Sequence, residues 1–228
     1  MHEPVNPTAT GPKAKAISGL HEAVAVHVQH LVPSAHRILD IAAGNGAFTK
    51  RLRDLDYEVV ANDLDPSGWA LPEVALLQID LNTSFASQFA DRGIQVITAI
   101  EIIEHLENPR AFLRECRAIV PPGGYLFVTT PNVTSAMARA MFLRSGTMPF
   151  FYPQEYHTSG HLTILPQWLL VEHALATQWQ VWNLCFAGDY GPSTLLQSLG
   201  QTCARLLGRY RDAGESRGGC TCLVLQKA

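Results

Sequence analysis

The residues best placed to do chemistry are three aspartates, at 40, 63 and 80, spaced around and after a small-residue loop. The run Arg37-Ile-Leu-Asp-Ile-Ala-Ala-Gly-Asn-Gly46 reads as a buried strand that enters a tight loop and leaves it as a helix. Glycine at 44 and 46 lets a ligand approach the backbone, and the helix start offers free N–H donors to a carboxylate or phosphate. Asp40 stands just before the loop, where a carboxylate repels a pyrophosphate but can pair with an ammonium group. Asp63 closes the next strand, where it can accept hydrogen bonds from a ribose diol. Asp80 closes a third, within reach of an adenine edge. One carboxylate at each of three successive strand ends describes a ligand with amine, ribose and base. A nicotinamide dinucleotide fits less well, because Thr49 stands where its fingerprint needs a third glycine or alanine.

A second cluster follows at Glu101-Ile-Ile-Glu-His-Leu-Glu-Asn-Pro109, beyond a fourth apolar run. Three readings stay open. His105 takes a proton from an acceptor hydroxyl. Alternatively Glu101, Glu104 and His105 join a distant histidine to hold a divalent cation that acidifies that hydroxyl. In the third, Glu104 and His105 only shape the turn. His157 and His161, four residues apart, are the distant candidates, but Ser159 and Gly160 between them argue for a loop.

The elements needed to position these groups alternate along the chain. A helix is expected over Ser18–Val32 and strands at Arg37–Ile41, Glu58–Ala61, Val74–Leu81 and Ile94–Ile103. Asn108-Pro109 opens a further helix with inner residues Phe112, Leu113, Cys116 and Ile119, and Pro121-Pro122-Gly123-Gly124 turns it into a strand at Tyr125–Thr130. Alternation of this kind implies a doubly wound α/β fold with a mostly parallel sheet covered on both faces. Residues 1–16 read as a flexible tail and 17–228 as one domain. Residues 132–165, with little periodicity, read as an irregular lid over an acceptor pocket lined by Phe151, Tyr152, Tyr156, His157 and His161. A helix at Pro166–Ala176, a strand at Val181–Ala187, a helix and loop over 191–219 and a strand at Thr221–Gln226 complete the chain.

Composition narrows the partners. The 228 residues are 47% hydrophobic and only 16% charged, with a net charge of −3, which argues against a large nucleic-acid footprint and a polybasic membrane anchor. No stretch of eighteen apolar residues occurs, so no bilayer span is expected. Five cysteines without paired metal spacing fit a reducing cytoplasm. Oligomeric state is not legible.

Asp40-Ile-Ala-Ala-Gly-Asn-Gly46, Asp63, Asp80-Leu81, Glu104-His105-Leu106 and Pro122-Gly123-Gly124 together resemble the class I S-adenosylmethionine-dependent methyltransferases of small-molecule type. The resemblance covers roughly residues 18–187 and implies a seven-stranded sheet with a reversed last strand. It also implies S-adenosylmethionine as cofactor, held by Asp40, Ala42, Gly44, Gly46, Asp63, Leu64, Asp80, Leu81 and Glu101. His105 and Glu104 would be catalytic, with methyl delivered to a hydroxyl of a small metabolite rather than to a nitrogen or carboxylate. Ala42 departs from the family, which has glycine there. Glu-x-x-Glu-His also resembles metal-dependent RNA 2′-O-methyltransferases and ubiquinone-pathway O-methyltransferases, so a divalent metal stays the less favoured cofactor reading. The alternatives to a small-molecule enzyme are a metal-assisted RNA methyltransferase and a non-catalytic cofactor-binding module.

Overall fold

Short hydrophobic strands separated by amphipathic helices leave a sheet as the only way to bury both sets of apolar residues. The computed structural model describes residues 11–191, 194–210 and 212–228. At the centre lies β1 (Arg37–Ile41), parallel to β2 (Glu58–Asn62) on one side and to β4 (Val96–Ala99) on the other, so that Asp40 sits between Ala61 and Thr98. Beyond them come β3 (Leu76–Leu77), β5 (Tyr125–Pro131), β6 (Trp179–Ala187) and β7 (Cys220–Lys227). The strand order is β3-β2-β1-β4-β5-β7-β6, with β7 antiparallel to both its neighbours. The chain winds outward in opposite directions from β1, which opens a crevice at the carboxyl ends of β1 and β4.

Alternation along β1 divides the core. Leu39 and Ile41 join Phe85, Phe112, Leu113 and Trp179 on one face. Ile38 joins Leu20, Val24 and Val28 of α1 (Leu20–Leu31) and Phe48 and Leu52 of α2 (Ala47–Asp54) on the other. Helix α3 (Pro109–Ile119) starts as its sequence demands: the Asn108 side chain accepts from the Ala111 N–H at 3.0 Å, with Pro109 in the first turn.

Three expectations need correction. The third strand is two residues long, not eight. Ile79 and Leu81 are buried as expected, but the Ile79 carbonyl accepts from the Asn62 side chain at 3.2 Å instead of a strand partner. The fourth strand stops at Ala99, because Glu101 adopts φ 49° and Ile103–His105 coils into a 3-10 turn. Residues 132–165 are not irregular throughout: they hold α4 (Ala136–Ser145), capped by Ser135, and α5 (Pro153–Thr158). Their periodicity is weak because α4 buries only Ala136 and Ala138, while Phe142 and Leu143 face solvent. Helices α6 (Gln167–Ala176), α7 (Leu195–Leu207) and α8 (Ala213–Arg217) complete the elements. No helix among the described residues is long and apolar enough to cross a membrane.

Candidate functional site

A cavity of about 940 Å³ opens at the carboxyl ends of β1, β2 and β4. Its floor is the β1–α2 loop, held by a short network. The Asp63 carboxylate accepts from the Gly44 N–H at 2.7 Å and, through its other oxygen, from the Asp65 N–H at 2.9 Å. Gly44 has φ 58°, and a side chain built on it would meet nothing within 4 Å, so its open face looks into free space. Gly46 (φ 89°) starts α2 and packs against Leu71 and Trp69, at 2.9 and 3.2 Å from where a Cβ would stand. It shapes the loop and is not itself in the wall.

Asp40 is buried beneath the loop, accepting from the Thr49 hydroxyl at 2.6 Å and the Thr98 hydroxyl at 2.8 Å. Burial pushes its carboxyl up to about 6 against the pull of those hydroxyls. A buried carboxylate on the cavity wall with no ion-pair partner among the described residues suits a ligand ammonium.

The opposite wall comes from the turn after β4 and the segment after α5. The Leu162 and Thr163 N–H groups both donate to the Glu104 carbonyl at 2.9 Å, pinning the two segments together. That contact brings the His161 ring to 4.5 Å from His105, edge to face. His161 Nδ1 lies 2.7 Å from the Phe150 carbonyl, which can only accept, so Nδ1 carries a proton and donates it there. Burial, then the neighbouring His161, holds His105 below the usual histidine range, leaving it neutral near pH 7.

Two carboxyls stand behind this pair. Glu101 lines the cavity and takes hydrogen bonds from the Cys220 thiol, at 3.1 Å, and the Ile17 N–H; burial raises its pKa. Glu104 is fully buried, and among the described residues neither of its oxygens has a hydrogen-bond partner of good geometry. Burial and the charge of Glu101 push Glu104 well above the carboxylate range. Glu104, His105 and His161 offer ligand atoms that all lie within 4.8 Å of one another. Backbone strain gathers here too: of five non-glycine residues at positive φ among those described, Ala42, Glu101 and Phe150 line this cavity.

The sequence model of the methyltransferase domain family matches residues 14–184. The chain belongs to this family. Among its relatives is the ubiquinone biosynthesis O-methyltransferase of Xanthomonas axonopodis pv. citri, 32% identical over 116 residues. That match covers 46% of this chain and 47% of the relative, about half the length of each. In fold the methyltransferase chain is similar to a SAM-dependent methyltransferase from Archaeoglobus fulgidus, with a TM-score of 0.62 at 14% identity, covering 91% of this chain and 94% of that one. It is also similar to the [4+2]-cyclase SpnF, with a TM-score of 0.58 at 15% identity, covering 90% and 81%. At such identities the likeness is one of architecture.

S-adenosylmethionine, the cofactor of this family, fits the residues present: open space over Gly44, a carboxylate at Asp63 and a buried one at Asp40. The expected site residues divide on inspection. Asp40, Ala42, Gly44, Asp63, Glu101, His105 and His161 line one methyltransferase cavity. Asp80 and Leu81 do not line it: Asp80 accepts from the Asn82 N–H at 2.9 Å in its own turn, and Leu81 is buried in the core. Leu64 is 63% exposed and lies outside the wall. Glu104 is beneath the wall, so it cannot touch an acceptor. Phe151 meets His161 from behind, at 5.5 Å between ring centroids, and it is Phe150 that lines the cavity. Tyr152 bonds Glu155, while His157 is exposed against Tyr156. The helix α5 separates them: it ends at Thr158, leaving His157 on the helix and His161 beyond the turn at Gly160.

Several wall residues carried no sequence signal. Lys15 and Ala16, assigned to the tail, and Ile17 just beyond it line the cavity, and the Lys13 carbonyl accepts from the Asn45 side chain at 2.8 Å. The first ten residues of that tail lie outside the described residues. His21 packs edge-on against Phe48 in the wall, its pKa lowered to about 4 chiefly by burial. His27, on the same helix, meets Cys185 at 3.2 Å and does not line the cavity.

Proposed function

We propose that this methyltransferase moves a methyl group from S-adenosylmethionine to a hydroxyl of a small molecule. One observation carries the reading: a single cavity joins the β1–α2 loop with Asp63 on one side to the His105–His161 pair on the other. The cofactor supplies a methyl on a positively charged sulfur, which an oxygen nucleophile displaces in line. The new C–O bond forms as C–S breaks, leaving a neutral thioether, and the acceptor proton must go to a base. His105, held neutral, takes that proton. Asp63 binds the ribose hydroxyls with the lone pairs its two backbone bonds leave free. Asp40 pairs with the ammonium group, and the loop with its open Gly44 lies against the amino-acid end. The protein's main contribution is alignment and exclusion of water, because the donor is already activated.

A small, apolar acceptor is supported by the wall of Phe150, Ile100, Ile102 and Phe48, and a hydroxyl by the base beside it. The curated relative named for ubiquinone biosynthesis O-methylation agrees with both. Residues 132–165 act as the lid of the domain, closing the acceptor side. The test is transfer of labelled methyl from S-adenosylmethionine to a panel of phenols and catechols. Labelling on oxygen that His105→Gln abolishes supports the reading, and transfer only to RNA or to amines contradicts it.

The Glu104–His105–His161 cluster supports a second reading, in which these three hold a divalent cation that acidifies the acceptor hydroxyl. Two imidazoles and one carboxylate favour zinc, manganese or iron over magnesium. The unpartnered Glu104 carboxyl and the Nδ1–H of His161 on a carbonyl suit such a site. His105 cannot then be the base, so dialysis against chelator separates the two readings: activity lost and restored by metal selects the second.

A further inference from the structure

We propose that the face formed by α4 and α7 docks on the surface of an anionic lipid bilayer. The helices lie side by side, so close that a Cβ on Gly200 would stand 3.2 Å from the Ala140 Cβ. Between them runs a groove of about 580 Å³ lined by Met137, Met141, Leu196 and Leu207 among others. Around it the large side chains point outward: Leu143 is 83% exposed, Leu195 84%, Leu206 80% and Leu207 87%. On a 3.6-residue repeat Leu195, Leu199 and Leu206 share one line of α7, with Leu196 and Leu207 beside it. Monomeric soluble proteins rarely leave so continuous an apolar face in water.

Charge selects the occupant. Residues 132–154 and 190–211 contain five arginines and not one aspartate or glutamate, in a chain whose net charge is −3. Read separately, each segment shows only a mild basic bias; the fold lays them together. Arg139 is used internally, over the Tyr210 ring at 4.2 Å and 3.7 Å from Glu215. Arg144, Arg205 and Arg209 are exposed and form no ion pair among the described residues. A second copy docked about a two-fold axis would set these arginines against themselves, with no carboxylate in either segment to relieve them. Leucines entering the acyl boundary while guanidinium groups reach lipid phosphates satisfy both features, as interfacial helices do. The face also adjoins the site: Phe150, four residues beyond the end of α4 at its Gly146 cap, stacks on Tyr190, five residues before α7, with ring centroids 6.1 Å apart. Docking does not depend on the methyl-transfer reading.

The test is sedimentation of the full chain with phosphatidylcholine vesicles, with and without phosphatidylglycerol, alongside calorimetry with S-adenosylhomocysteine. Binding to the anionic vesicles should exceed binding to the neutral ones by roughly tenfold and fall in high salt. It should be lost in Leu199→Glu/Leu206→Glu, with cofactor affinity intact. Should that variant misfold, Arg144→Ala/Arg205→Ala/Arg209→Ala carries the test, with the anionic preference lost. Equal binding to both vesicles, no binding, or a dimer that dissolves in the leucine variant would each overturn the proposal.

Discussion

The two walls of the cavity are built by opposite means. The cofactor side is a local device: β1, its loop and α2 form within eighteen consecutive residues, and Asp63 arrives from the adjacent parallel strand. The acceptor side is a long-range one. His105 and His161 lie 56 positions apart and meet only because two backbone N–H groups close on the Glu104 carbonyl. A wall made by local geometry can be read from spacing. One made by folding a distant segment back cannot, and it is the part free to vary with the acceptor.

If that division is right, substitutions should affect one function and spare the other. The largest effect is expected for His105→Gln, which should lower turnover on a phenolic acceptor by about 10²–10⁴-fold with S-adenosylhomocysteine affinity unchanged. Loss of cofactor binding in that variant would break the comparison. Asp63→Ala should do the reverse, weakening cofactor binding by roughly 10–100-fold in calorimetry, the worth of hydrogen bonds to a charged group. Affinity like that of the wild type would remove Asp63 from the ribose.

Asp40 sharpens the cofactor side through pH. Its carboxyl is raised from 3.8 to about 6 in the folded protein, so the folded chain holds a proton that the unfolded chain has released between those values. Ligand-free stability should therefore fall as pH rises through that window. Cofactor affinity should move the other way, weakening several-fold as pH drops below about 6 and the ammonium loses its ionised partner. Calorimetry at pH 5 and pH 7.5, in wild type and Asp40→Asn, checks this: the dependence should vanish in the variant.

Ala42 holds φ 56°, in the left-handed region that favours glycine. Ala42→Gly should raise stability by up to about 1 kcal/mol in chemical denaturation by relieving left-handed backbone; a decrease would mean that the methyl packs better than the backbone suffers. The smallest effect is expected at Asp80. Its replacement by alanine should cost about 0.5–1 kcal/mol for one turn hydrogen bond and leave cofactor affinity alone. A clear loss of affinity would return Asp80 to the cofactor wall.

Legibility in the sequence followed the same division. The boundaries of β1, β5 and α3 lie within a residue or two of their sequence signals, because Gly44 closes β1, Asn108-Pro109 opens α3, and Pro121-Pro122 separates α3 from β5. Asp63 was legible because a strand end dictates where its side chain goes. Asp80 misled because the third strand ends at Leu77, four residues earlier than its apolar run suggests. His161 was legible as one of two candidates to join Glu104 and His105, though not that it, rather than His157, reaches them, and α4 was hidden because its apolar residues face outward. Lys15 and Ile17 had no periodicity to mark them; their place against the loop is fixed by tertiary contact alone.

The central claim is that one cavity binds cofactor on one wall and does acceptor chemistry on the other. It is tested most directly by titrating S-adenosylhomocysteine, with NADH as control, into wild type, Asp63→Ala and His105→Gln in a calorimeter. The account predicts binding of S-adenosylhomocysteine but not NADH, weakened in Asp63→Ala and unaltered in His105→Gln. Equal affinity in all three proteins, or preference for NADH, would contradict it.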